Sequence, residues 1–493
     1  MVAYDVIVVG GGGTGLMAAY AAAGNGCAVL LLEKGERLGG TTALSVGTVT
    51  ATGTALQKAA GILDDNPDWH FEDLGKFAGP RANRDNLDLR RLLVDNARET
   101  IDLLTKLGIV FMGPLPEPPH RHPRMHAIIP HSRGFIQRLE KACRGEGVII
   151  RTGAPVTRLL MENGRVTGVE VDGRQTIGAR RGVILASGDF SSADLDYKSK
   201  YMSGPLLDIG GINPLSAGDG QKMGEAVGSE VVNGDLAWGP EIRFKAPPKP
   251  SLVSRLPTWP ALARLIVWAM KRVPDAIIRP FLLRFVTTFL APSPQLFRAG
   301  AILVNRDGRR FCDERERPQD AIGKQPDKSA WIVFGDEVAR QFNAWPNFVS
   351  TAPGVGFAYL RDYEASRLDV VHKAETLEAL ARSIGVPEAA LAASVAEFNG
   401  SRTSGDDRAA LVEGPFYALG PAISWIVFSE GGLKIDTSFR VLHRDGHPIA
   451  GLYAAGSAGQ GGVLLEGHGH HLAWAFTSGR LAGRNAALDG AAA

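Results

Sequence analysis

Glu466-Gly467-His468-Gly469-His470-His471 gathers one carboxylate and three imidazoles in a single short run. Histidine titrates nearest neutral pH, so this run is the first candidate for a general acid or base, with His468 leading and Glu466 beside it. The glycines leave the backbone of Gly467, His468 and Gly469 free to donate N–H groups to a developing oxyanion. A helix expected from about His470 through Arg480 to Ala487 would point its positive end at the same place. Histidines this dense can also hold a metal ion. Apart from Glu466, however, no acid or cysteine stands at ligand spacing, and no metal is expected. Helix capping and packing account for at least one of the three rings. Tyr417, in Pro415-Phe416-Tyr417-Ala418, and Tyr359 and Tyr363 are further acid/base candidates, each competing with a role as a packed aromatic. A second polar cluster, His120-Arg121-His122-Pro123-Arg124-Met125-His126 with His131, follows a stretch stiffened by five prolines from Pro114 to Pro123. Arg124 and His126 could contact a substrate, although composition favours a solvated surface loop.

Such groups need a scaffold, and the N-terminus supplies one. Tyr4 to Val9 is an apolar strand running into Gly10-Gly11-Gly12-Gly13-Thr14-Gly15, then an apolar helix to Ala23, then a strand from Ala28 to Leu32 that ends at Glu33. That order is a dinucleotide-binding βαβ unit. Gly10 allows the tight turn, Gly12 lets the backbone approach a pyrophosphate, and Gly15 lets helix and strand pack closely. Gly13 and Thr14 open the helix whose N-terminus faces the phosphates. Glu33 stands where a carboxylate accepts hydrogen bonds from an adenosine ribose.

The next segment, Lys34-Gly35-Glu36-Arg37-Leu38-Gly39-Gly40-Thr41-Thr42-Ala43-Leu44-Ser45, decides which dinucleotide. It resembles the FAD-binding signature of the fumarate reductase/3-ketosteroid dehydrogenase flavoprotein family. The resemblance implies an α/β fold: a Rossmann-like FAD-binding domain, residues 1–235 plus 411–493, interrupted by an α+β capping domain, residues 236–410. It implies that Lys34, Gly39, Gly40, Thr41, Thr42, Leu44 and Ser45 line the diphosphate and the flavin. Ala154 and Val156 would lie against the adenine, and Ala186-Ser187-Gly188 would face the cofactor. Gly456 and Ser457 would lie near the ribitol, with Ser457 replacing the acid many members carry. The amides of His471, Leu472 and Ala473 would meet the pyrimidine edge. Gly300 to Phe311 resembles the family's cap-domain strand pair. No histidine lies between Gly39 and Ser45, where covalent-flavin relatives carry theirs, so the FAD is expected to be non-covalent.

Composition fits a large enzyme. At 493 residues, 45% hydrophobic and a formal net charge of +2, the chain implies two domains and no nucleic-acid partner. Cys27, Cys143 and Cys312 are too scattered for a disulfide framework. The first strand begins almost at the start, leaving no room for a signal peptide, and a cytoplasmic location is expected. One stretch stands apart. From Leu252 to Phe297 the only acid is Asp275, against Arg255, Arg264, Lys271, Arg272, Arg279 and Arg284, interleaved with Trp, Phe and Leu. No apolar run there reaches the ~18 residues of a spanning helix. The pattern suits peripheral contact with an anionic bilayer, and equally a pair of cap helices burying their apolar faces.

The two branches of the family differ in their substrates. Along the resembling segments, Pro318 falls where fumarate reductases carry a proton-delivering arginine, with Arg317 next to it. Glu466 falls at their carboxylate-clamping arginine, and Phe428 at a substrate histidine. An acid in place of that clamp would repel a dicarboxylate. In the ketosteroid dehydrogenase branch, Gly469 fits the amide-donating glycine, but Leu465 and Pro318 replace its two tyrosines. The expected function is FAD-dependent dehydrogenation of the C–C bond next to a carbonyl in an apolar, cyclic ketone. Alternatives are reduction of an activated alkene other than a dicarboxylate, and flavin binding without turnover. The electron acceptor is not specified by the sequence.

Overall fold

The computed structural model describes residues 3–245, 255–274, 287, 290–352 and 356–489. β1 (Ala3–Val9) and β2 (Val29–Leu32) pair in parallel, Val6 with Val29 through Val9 with Leu32. Val6, Ile7, Val8, Leu30 and Leu31 are fully buried, the near-continuous apolar run that a sheet covered on both faces demands. Helix α1 (Gly13–Ala23) joins the two strands, and its Leu16 and Met17 are also fully buried. Each such side chain contributes about 1.5–3 kcal/mol.

Three more strands, β3 (Thr48–Thr50), β4 (Val110–Leu115) and β5 (Met125–Ile129), form a small antiparallel sheet in the order β3-β5-β4. Helices α2 (Pro67–Ala78) and α3 (Leu87–Lys106) precede β4, and α4 (Arg133–Gly145) leads into β6 (Ile149–Arg151), which extends the main sheet beside β2. β7 (Val156–Glu162) and β8 (Arg165–Val171) form a hairpin of the kind an Asn-Gly pair favours, with Asn163 and Gly164 both at positive φ. β9 (Gln175–Leu185) then pairs in parallel with β1.

The chain leaves this domain through Ala237–Trp238 and returns through Phe428–Ser429, and these two crossings pair with each other as a short antiparallel ribbon. Between them lies a second, antiparallel sheet: β10 (Glu241–Phe244), β11 (Ile302–Val304), β12 (Ser329–Phe334), β13 (Val371–Ala374) and β14 (Phe416–Trp425). Helix α5 (Pro260–Met270) is spliced in after β10. Two expectations need correction. β14 belongs to the cap sheet, so the boundary at 411 falls too early, and the return to the first core begins only near Leu433. The 300–311 segment supplies one strand and a single bridge, Val304 to Arg310, and β11 takes β12 as its partner instead. The returning arm carries Arg310, whose guanidinium is bound to Glu314.

β15 (Pro448–Ala454) completes the main sheet in parallel with β9. Helix α6 (His470–Asp489) then crosses α1 at very short range. A Cβ at Gly479 or Gly483 would lie 2.5 or 2.2 Å from the carbonyl oxygens of Thr14 and Ala18. Two small residues one turn apart therefore let the helices touch, which sets the start of α6 beside the glycine turn.

Candidate active site

One cavity of about 1380 Å³ runs between the glycine turn, the start of α6 and the cap. It exceeds the ~300–1,000 Å³ usual for pockets that hold drug-sized ligands, as an extended dinucleotide requires. Gly10, Gly12, Gly13, Thr14, Glu33, Lys34, Gly39 to Ser45, Ala154, Val156, Ala186, Ser187 and Gly188 all line it, with Ser457, His471 and Leu472 from the C-terminal part. Gly10 has φ +112°, and a Cβ at Gly15 would lie 1.8 Å from the Gly10 carbonyl oxygen. Gly15 thus serves packing and does not line the cavity. Gly12 has nothing within 3.9 Å of a Cβ position, which leaves room for a phosphate against the backbone. Glu33 accepts the amides of Gly11 and Gly35, each at 2.7 Å, and keeps lone pairs for ribose hydroxyls. Lys34 pairs with Asp219 at 2.6 Å. Gly456 is not on the wall: its N–H donates to Ser478 Oγ and its carbonyl accepts from Trp474 Nε1, so both polar groups are spent on α6. The Ala473 amide is likewise committed to the Gly469 carbonyl, leaving His471 and Leu472 ahead of it at the helix start.

The other end of the cavity is built on Gly467, His468 and Gly469, which face Trp238, Val427 and Phe428 from the two crossing strands. Glu117, almost fully buried, accepts the His468 amide at 2.9 Å and its Nδ1–H at 2.6 Å. In the neutral ring that contact holds the proton on Nδ1 and leaves the lone pair on Nε2, the form a general base requires. It also removes the His468 amide from the expected oxyanion donors, so only the Gly467 and Gly469 amides remain. Thr50 clamps the loop from behind, donating through Oγ1 to the His468 carbonyl at 2.9 Å and through its amide to the Gly469 carbonyl at 3.3 Å. Trp238 stands edge-on to the His468 ring at 5.6 Å.

The remaining acid/base candidates lie elsewhere. Glu466 is ion-paired with Arg81 and is not on the cavity wall. Burial raises its pKa. Tyr417 is in β14, stacked on Phe334 in the cap core, and Tyr363 donates to or accepts from Ser350 there. Among the described residues no tyrosine lines the cavity.

His470 belongs to a buried polar frame that the sequence concealed. Arg124 is fully buried between Asp65 and Asp73, at 2.6 and 2.7 Å, and donates to His120 Nδ1 at 2.8 Å. His120 therefore carries its proton on Nε2 and donates it to His470 Nε2 at 2.9 Å, while His470 Nδ1–H reaches the Glu466 carbonyl at 2.5 Å. His70 completes a trio whose ring nitrogens lie within 4.8 Å of one another. A metal would need the His120 Nε2 lone pair, which the Arg124 contact turns into an N–H, and the guanidinium would repel a dication. Burial pushes His470 down to about 4 and His120 to about 2, so both are neutral at pH 7. The proline-rich loop exposes Pro116, Pro118, Pro119 and Arg121, but Arg124 and His126 are internal, and its buried Glu117 is the residue sequence reasoning missed. A carboxylate in a segment locked by prolines and rich in histidine and arginine was the available signal.

Residues 5–249 and 292–465 match the family described as FAD binding domain. The chain belongs to that family. It is 29% identical over 511 residues to probable fumarate reductase Ifc3 of Shewanella frigidimarina, spanning 98% of this chain and 74% of that protein. It is 24% identical over 616 residues to 3-oxosteroid 1-dehydrogenase of Mycolicibacterium smegmatis, spanning 99% and 98%. The open conformation of a flavocytochrome c3 fumarate reductase has the same fold, with a TM-score of 0.73 at 27% identity over 99% of this chain and 79% of that one. Like these relatives, this member of the FAD binding domain family is an FAD-dependent oxidoreductase working on carbon–carbon bonds.

Proposed function

We propose that the enzyme removes two hydrogens from the C–C bond next to a carbonyl in an apolar, cyclic ketone of the 3-ketosteroid kind, with His468 as the base. The observation that carries this reading is the substrate end of the cavity: Trp238, Val427, Phe428 and Leu472 line it with His468, and Arg243 on the same wall is already paired. Arg81 is held by Glu466, Arg243 by Glu241, and Arg317 by Asp320. A dicarboxylate would have to take Arg243 from Glu241, whereas a hydrophobic ring has matching walls. The near-complete span of the 3-oxosteroid 1-dehydrogenase relative points the same way.

The ketone oxygen sits at the Gly467 and Gly469 amides, where the positive end of α6 stabilises enolate charge and acidifies the α C–H. His468 Nε2 takes the α-proton. Glu117 holds the opposite ring nitrogen and balances the imidazolium that forms. Trp238, Phe428 and Leu472 exclude water from the reacting carbons. FAD, held by the glycine turn and the Gly39 to Ser45 segment, would supply the acceptor for the hydride from the β-carbon. A second reading, reduction of an activated alkene with His468 as the acid, draws on the higher identity to the fumarate reductase relative.

Anaerobic mixing with a panel of 3-ketosteroids and cyclohexanones, followed at the flavin band, tests both. Bleaching by ketones supports dehydrogenation. Reoxidation of the dithionite-reduced enzyme by enones without ketone bleaching supports the reductase. No reaction in either direction leaves a flavin-binding protein, and a preference for succinate or fumarate overturns the reading. His468→Ala is expected to keep FAD and slow flavin reduction by about 10²–10⁴-fold.

A further inference from the structure

Residues 250–291 fall outside the family match, so this stretch is an addition to the shared scaffold. Its residues 255–274 are anchored to the FAD-binding domain although they follow a cap strand. The Thr258 carbonyl accepts from Arg138 of α4 at 3.2 Å, and the Leu256 carbonyl accepts from His131 at 3.1 Å. The inner side of α5 packs over β4 and β5, burying Ala263 with Ile266, Val267 and Met270 half-buried. Residues 275–286 of the stretch lie outside the described residues.

The outer side is the unusual one. Trp259, Leu265 and Trp268 are 65%, 58% and 51% exposed. Arg264, Leu265 and Trp268 recur at i, i+1 and i+4, which places them on one exposed face of α5, and the exposed Lys271 and Arg272 follow at its C-terminal end. The Arg272 guanidinium lies 5.3 Å from the Trp268 ring centre. No acid occurs between Leu252 and Pro274. Arg255, Arg264, Lys271 and Arg272 have no carboxylate partner among the described residues.

We infer that this face docks the enzyme on an anionic lipid bilayer. Tryptophan and leucine enter the boundary between headgroups and acyl chains, while the four cations around them meet lipid phosphates and carboxylates. Docking two copies through the same face would set those cations against their own counterparts, which disfavours a dimer there. Among the described residues no helix is long and apolar enough to cross a membrane, so α5 lies along the surface. This inference does not depend on which ketone the active site takes.

The test uses the whole holoenzyme in co-sedimentation with vesicles. On phosphatidylcholine containing roughly one-third phosphatidylserine, pelleting should exceed that on phosphatidylcholine alone by at least about tenfold and should fall as salt is raised. Leu265→Ser with Trp268→Ser, and separately Arg264→Glu with Arg272→Glu, should each reduce it by about tenfold or more. Because all four side chains are exposed, FAD absorbance and ketone-driven bleaching in detergent should stay as in the parent and report intact folding. Equal pelleting on the two lipids, no pelleting at low salt, or a dimer in sedimentation equilibrium that Trp268→Ser dissolves would each overturn the inference.

Discussion

At the glycine turn, Glu33 reaches the amides of Gly11 and Gly35 across 22 and 2 residues of chain. At the His468 loop, Glu117, His120 and Thr50 reach their partners across 351, 350 and 418 residues. The first region is written in one stretch of sequence and lines the cavity largely with glycines, so its geometry follows from local turn chemistry. The second is assembled by side chains from the proline-rich loop, the small β3-β5-β4 sheet and the C-terminal helix. Its chemistry can therefore change when one distant residue changes, while the cofactor end stays as it is. Such an arrangement lets a chain keep the FAD-binding segments of its family while its acid/base groups vary.

The largest effect that would sharpen this contrast is expected at the turn. Gly15→Val puts a side chain 1.8 Å from the Gly10 carbonyl, where no rotamer offers relief. It should cost more than about 4 kcal/mol and yield little yellow protein. A yellow Gly15→Val enzyme with an unshifted urea midpoint would show that strand and helix can separate at little cost.

Arg124→Met comes next. It leaves Asp65 and Asp73 buried without their shared cation and should destabilise the fold by about 3–5 kcal/mol in urea unfolding. FAD content in the folded fraction should stay near parent, because the frame touches only the reacting end. Loss of FAD from the folded fraction would erase the distinction between the two ends.

The gentlest change, per pH unit and per residue, is a pH dependence around the same frame. Burial lowers His70, His120, His126 and His470, with His126 and His470 at about 4. The unfolded chain, with histidine near its usual ~6.5, then binds more protons than the folded one below that pH. Stability should be fully present above ~6.5 and fall as the pH drops toward ~4, by up to about 1.4 kcal/mol per pH unit for each histidine. Urea midpoints measured across that window check the sign. A midpoint that rises on acidification would mean that these rings gain protons on folding.

What was legible in the sequence was whatever depends on near neighbours. The strand–turn–helix–strand order, the Asn163-Gly164 hairpin, the apolar runs of β1 and β2 and the long C-terminal helix follow from local sterics and side-chain periodicity. Much of the cavity wall was legible too, because the glycines that line it must lie where their backbone does. Four features were not. Whether His468 is a base depends on Glu117, whose burial no local pattern encodes. Glu466 and Tyr417 looked equally able to exchange protons until Arg81 and Phe334 took them up. Arg124 read as a solvated cation because composition carries no information on the two aspartates enclosing it. The cap boundary moved because β14 is recruited by strands far upstream. Charge and hydrogen-bond roles belong to pairs of groups, and only the tertiary structure chooses the pairs.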